Sequence, residues 1–142
     1  MSLTLDAART IIATALTDAA TRGLAPLAVV VLDAGGHLKA AERQDGASIH
    51  RTDIAHGKAY GAISMGLGSR ALFKRAEAQP TFITAISATL GGRLVPVPGG
   101  VLVRDAAGEL IGAVGVSGDV SDNDEAVAVA GITAAGLIAD TG

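Results

Sequence analysis

Two glycine-rich segments flank one predicted β-hairpin, and they constrain the fold more than any other feature of the sequence. They are Pro98-Gly99-Gly100 and Gly112-Ala113-Val114-Gly115-Val116-Ser117-Gly118. Glycine weakens a strand because it packs no side chain and loses much backbone entropy on folding. This density of glycine therefore indicates tight turns, or the close approach of another backbone or of a ligand. We expect the functional site at this hairpin.

Apolar periodicity predicts an α+β fold for the rest of the chain. Helices are predicted over residues 4–22, 48–66, 69–78, 81–90 and from 121 or 122 to about 138, and strands over 27–32, 37–42, 94–97, 101–104 and 109–116. Because the strands form hairpins and not βαβ crossovers, we expect a central antiparallel sheet with segregated helices. The length of 142 residues fits a single domain, residues 1–142.

Composition excludes several classes of function. The 11 basic and 14 acidic residues give a net charge of −3 without a basic run, which argues against nucleic-acid binding. The absence of cysteine excludes thiolate chemistry and cysteine-held metal clusters. No membrane span and no leader segment is predicted, so a cytoplasmic protein is expected. The abundance of alanine, glycine and valine favours close packing between subunits in a homo-oligomer.

Three charged side chains are candidates for ligand chemistry. Arg43 can bind a carboxylate, and Asp45 lies in the same predicted loop. The alternative is a surface ion pair that only orders the turn. Lys58, on a predicted helix among alanines, could act as acid, base or amine nucleophile, although a solvated lysine is the commoner outcome.

The histidines and the glycine segments complete the candidate residues. His37, His50 and His56 lack the spacing of a metal site made of protein ligands alone, so none is expected, but each could ligate haem or transfer a proton. Gly99 and Gly100 could direct amides at an anion, to which Ser117 could add a hydroxyl. Close packing of the sheet is the alternative explanation for the glycines.

Taken together, six motifs resemble the GlcG/HbpS family, the haem-degrading family that includes the C-terminal domain of PduO-type proteins. The motifs are Val29–Gly36, Arg43-Gln44-Asp45-Gly46-Ala47, Asp53–Ala59, Pro98-Gly99-Gly100, Gly112–Gly118 and Asn123-Asp124-Glu125. The resemblance spans nearly the whole chain. It implies a profilin-like α/β sandwich with about five antiparallel strands, and assembly into dimers or larger oligomers. It also implies haem as a cofactor, although residues 4–22 lack the histidine that is one haem ligand in this family.

Three functions follow as hypotheses. The first is binding of a small organic acid by Arg43, Gly99, Gly100 and Ser117, with Lys58 or Asp45 moving protons in a tautomerisation, proton transfer or hydrolysis. The second is a haem-binding, haem-degrading or redox-sensing protein, with one of the three histidines on the iron. The third is a non-catalytic accessory or scaffold subunit.

Overall fold

The computed structural model describes residues 1–142 as five helices and one five-stranded antiparallel sheet. The elements are α1 (Leu5–Arg22), β1 (Ala28–Asp33), β2 (Leu38–Arg43), α2 (Arg51–Met65), α3 (Ser69–Ala78), α4 (Pro80–Thr89), β3 (Gly100–Arg104), β4 (Leu110–Ser117), α5 (Ser121–Ala134) and β5 (Ile138–Asp140). The strand order is β2-β1-β4-β3-β5. The predicted α+β fold is confirmed. None of the helices combines the length and the hydropathy that a membrane crossing requires.

Helices cover both faces of the sheet, and β1 is buried between them. Val29 and Val31 pack with α1 and α5 in the larger core cluster. Val30 and its neighbours Ala28 and Leu32 pack against alanines of α2 in the smaller one. Because successive side chains of a strand point to opposite faces, the apolar residues of β1 contribute to both cores. Both faces of β1 are therefore covered by helices.

Helix α2 lies unusually close to the sheet because glycines face it. Gly100 and Gly115 are directly paired across β3 and β4. A Cβ atom at Gly115 would overlap the carbonyl oxygen of Ala55, and one at Gly100 would overlap that of Lys58. The backbone of α2 therefore occupies the space that side chains would fill at these two positions.

Two predicted elements were wrong. Residues 94–97 form no strand; they run across α2, where the Val95 amide donates to the Gly57 carbonyl at 3.2 Å. The fifth strand is instead β5, which pairs with β3 and was predicted to be the end of the last helix. Helix α5 stops at Ala134, shortly before Gly136 adopts a left-handed φ of 74°. Its N-cap is Val120, and neither Ser121 nor Asp122 caps it.

Both hairpin turns are held by an aspartate at their first position. The Asp33 carboxylate accepts from the amides of Gly35 and His37 at 2.9 and 3.0 Å. In the second hairpin, Asp105 accepts from Ala107 and Glu109, both at 3.0 Å. These backbone hydrogen bonds stabilise the ionised carboxylates and lower the pKa of both side chains below 3.8.

We expect the Asp33→Asn/Asp105→Asn double variant to be less sensitive to acid than the wild type. Because the folded-state pKa of each aspartate is lowered, its stabilising effect is present above the unfolded value of 3.8 and is lost as the pH falls through the folded value. Urea unfolding at pH steps from about 5 to about 2.5 measures this loss. The control is Asp6→Asn, whose wild-type side chain is 97% exposed. If the double variant and the wild type lost stability equally at low pH, the lowered pKa values of Asp33 and Asp105 would be contradicted.

Candidate functional site

Lys58 is buried in an ion pair with Asp124. Its Nζ atom donates to Oδ2 of Asp124 at 3.0 Å and to the carbonyl of Val116 at 2.9 Å. The two side chains are 3% and 1% exposed. The other carboxylate oxygen of Asp124 accepts from the Asp119 amide at 3.0 Å. The pair thus joins α2, the end of β4 and the first turn of α5.

Burial shifts both members of this pair toward their neutral forms. Desolvation lowers the pKa of Lys58, against the attraction of Asp124, and the nearby Arg51 charge lowers it further. Desolvation likewise raises the pKa of Asp124, against the attraction of Lys58. None of the cavities of the molecule is lined by either residue.

Gly99 and Gly100 lie beside Lys58, and the Gly100 amide and the Gly99 carbonyl are used within the fold. The Gly100 amide donates to Oγ of Ser69, a buried residue, at 2.7 Å. The Gly99 carbonyl accepts from the Val116 amide at 2.9 Å. Gly99 has a φ of 123°, and a Cβ atom there would lie 2.9 Å from Nζ of Lys58. Glycine at this position therefore leaves room for the lysine.

Ser117 and Arg43 lie in one row at the same end of the sheet. Ala28 is paired with Arg43 on one side and with Ser117 on the other. Strands are about 4.8 Å apart, so roughly 10 Å separates Arg43 from Ser117. Oγ of Ser117 accepts from Nη1 of Arg51, on the first turn of α2, at 3.1 Å. Nη1 of Arg43 donates to the carbonyl of Ala47, just before α2, at 2.7 Å.

Arg43 and Asp45 line the largest cavity, a groove of about 520 Å³ beside the end of α1. The other lining residues are Ala19, Ala20, Leu24, Pro26 and Gln44. The remaining predicted site residues, Lys58, Gly99, Gly100 and Ser117, do not line this groove. The structure therefore brings the predicted residues to one end of the sheet, but in two groups.

The three histidines have different surroundings. His37 follows the β1–β2 turn, with Nδ1 3.4 Å from Oδ1 of Asp33, and lines a cavity of about 320 Å³. His50 is exposed, with Nδ1 3.1 Å from Asp53. The His56 ring stacks on Tyr60 at a centroid distance of 5.5 Å. Desolvation and then the Arg93 charge lower the pKa of His56, against the effect of Asp53.

Comparison with known proteins gives the family. Residues 3–133 match the family described as haem degrading protein HbpS-like. The chain belongs to this family. Among proteins with curated functions, none is similar enough in sequence to count as a match.

Solved structures share the fold of this HbpS-like chain. The crystal structure of a PduOC–haem complex superposes with a TM-score of 0.86 at 24% identity, covering 97% of this chain and 98% of that chain. Protein ORFY of Klebsiella pneumoniae gives 0.83 at 27% identity, with coverage of 94% and 90%. HbpS gives 0.79 at 30% identity, with coverage of 94% and 89%.

Three residues of the HbpS-like chain were missed as parts of the site. Asp124 is the buried partner of Lys58. Ser69 and Arg51 supply the partners of Gly100 and Ser117. The only signal for Asp124 was its place in the Asn123-Asp124-Glu125 motif, because 66 residues separate it from Lys58.

Proposed function

We propose that this HbpS-like protein binds haem, with His37 as a ligand of the iron. The observation that carries the proposal is that His37, of the three histidines, lines a cavity. The family description and the PduOC–haem complex, which has the same fold, support haem as the ligand. Haem held there would supply a redox-active iron.

The residues around His37 suit a haem group. Nδ1 faces the Asp33 carboxylate, which orients the ring and leaves Nε2 toward a ligand. Leu3 and Ile111 give the cavity apolar walls, and Lys39 at its rim can pair with a propionate. The cavity is open, since the His37 side chain is 82% exposed.

We expect the wild-type protein to give a saturable shift of the Soret band when titrated with haemin, and His37→Ala to lose it. The loss follows because the imidazole of His37 supplies the bond to iron in this proposal. The absorption spectrum measures the shift at each haemin concentration. His50→Ala and His56→Ala are the matched controls and keep the shift. An unchanged shift in His37→Ala, or a loss in His56→Ala instead, would overturn the assignment of the ligand.

Binding of a small organic acid is the second candidate function. The observation that favours it is the position of Arg43, Gln44 and Asp45 along the largest groove of the molecule. A guanidinium there can form two parallel hydrogen bonds to a carboxylate. Proton transfer by Lys58 to a ligand in that groove has no support from its buried position, so this candidate is one of binding and not of catalysis.

A further inference from the structure

Arg43 and Arg51 are the two arginines of the chain whose charge has no partner. Four others pair with carboxylates: Arg9, Arg22, Arg70 and Arg104. The last two, Arg75 and Arg93, lie over the rings of Phe82 and Tyr60 at 4.3 and 4.1 Å from the ring centroids. Arg43 and Arg51 each make one hydrogen bond, to the Ala47 carbonyl and to Ser117.

The two unpaired arginines lie at the same end and on the same face of the sheet. Arg43 shares its row with Ala28 and Ser117, and Ala28 packs in the core cluster that faces α2. Arg51, on α2, contacts the same row by donating a hydrogen bond to Ser117. It is also the first residue of α2, where the helix dipole adds positive potential and no side chain caps the amides.

The carboxylates near this row pair with neither Arg43 nor Arg51, because they make other contacts or project elsewhere. The Asp124 carboxylate is engaged by Lys58, and Asp53 pairs with His50. Glu42 alternates with Arg43 along β2 and so projects from the opposite face of the sheet. Asp119, two residues beyond Ser117, accepts from the Ala25 amide at 3.0 Å and from the Asn123 side chain at 2.8 Å. Asp45 lies in the exposed loop after β2.

We propose that Arg43 and Arg51, the latter positioned by Ser117, form a binding site for a small dicarboxylate. Each guanidinium has five N–H donors and uses one, so each can bind one carboxylate of the ligand. Ser117 is 1% exposed, and its oxygen accepts from Arg51, so it positions that guanidinium and does not itself face the ligand. The inference rests on the second candidate function, the binding of an organic acid, and it adds Arg51 to Arg43.

This site is separate from the proposed haem site. His37 precedes β2 and Arg43 ends it, so about 20 Å of strand lies between the two positions. The dicarboxylate proposal and the haem proposal can therefore be tested separately, and either can be wrong without the other. Haem carries two carboxylates of its own, so the test must separate free dicarboxylates from haem propionates.

The test is calorimetric titration with malonate, succinate and glutarate at low ionic strength, with acetate and succinamide for comparison. We expect one of the dicarboxylates to bind with 1:1 stoichiometry and acetate and succinamide to bind far more weakly. Arg43→Gln and Arg51→Gln each weaken the binding about tenfold or more, because each removes a charge-assisted hydrogen-bonding partner. Ser117→Ala weakens it less, and Arg51→Lys restores part of the affinity lost in Arg51→Gln.

Arg9→Gln is the matched control, because it removes the same charge from a side chain that is 70% exposed. It leaves the affinity unchanged, as does His37→Ala. Circular dichroism and urea unfolding establish that each variant is folded. Absence of dicarboxylate binding to the wild type, or equal losses in Arg9→Gln and Arg51→Gln, would overturn the proposal. So would loss of the haemin shift in Arg43→Gln and Arg51→Gln without any succinate binding, since the arginines would then hold propionates.

Discussion

We expect Lys58→Met to lower the free energy of unfolding by about 3–5 kcal/mol, because it leaves Asp124 buried without its cation. Asp124 then has only the Asp119 amide as a hydrogen-bond donor in a site that water does not reach. The carboxylate must stay charged in apolar surroundings or take up a proton, and either adjustment costs free energy. Urea unfolding followed by circular dichroism measures the loss as a lower midpoint.

Two control variants show whether the loss of stability comes from breaking the ion pair or only from removing a lysine charge. Lys74→Met removes the same charge from an exposed position on α3 and changes stability little. The double variant Lys58→Met/Asp124→Leu regains much of the stability lost in Lys58→Met, because an apolar pair replaces the unpaired carboxylate. If Lys58→Met unfolded at the same urea concentration as Lys74→Met, the pair would contribute nothing to the fold.

The pair also explains why several family motifs meet at one place. Lys58 contacts the end of β4 and the first turn of α5, and Gly99 leaves the space that its side chain crosses. The motifs that contain Lys58, Gly99 and Asp124 thus contribute to the packing of α2 against β4 and α5. The unpaired charges of Arg43 and Arg51 lie one row away, and Arg43 also lines the largest groove of the molecule.

Local patterns were sufficient to predict most of the fold. Helix α1 begins at the side chain of Thr4, which accepts from the Ala7 amide, and ends at Gly23 with a φ of 68°. Each hairpin is marked by an aspartate whose side chain binds the amides of its own turn. Such signals lie within a few residues of the structure they determine, so the sequence displays them directly.

Contacts between residues that are far apart in the sequence could not be predicted from local patterns. The segment 94–97 has the β-branched residues of a strand, yet it lies on α2, while the three-residue β5 pairs with β3. Which of two short apolar segments joins a sheet edge depends on the space that the rest of the chain leaves. The partners of Lys58 and Ser117 are likewise distant in sequence, and no spacing rule connects them.

We expect Gly115→Ala to destabilise the fold by about 3 kcal/mol or more, the upper end of the cost of overpacking. The added methyl group would overlap the carbonyl oxygen of Ala55, so α2 must lift from the sheet, and the apolar contacts of Ala55 and Ala59 would loosen. Urea unfolding measures the effect. Gly66→Ala is the control, since Gly66 has a φ of 65° but open space around it, and alanine there costs about 1–2 kcal/mol of backbone strain. A smaller loss in Gly115→Ala than in Gly66→Ala would mean that α2 moves away easily, and close helix packing would then not explain the glycines of β3 and β4.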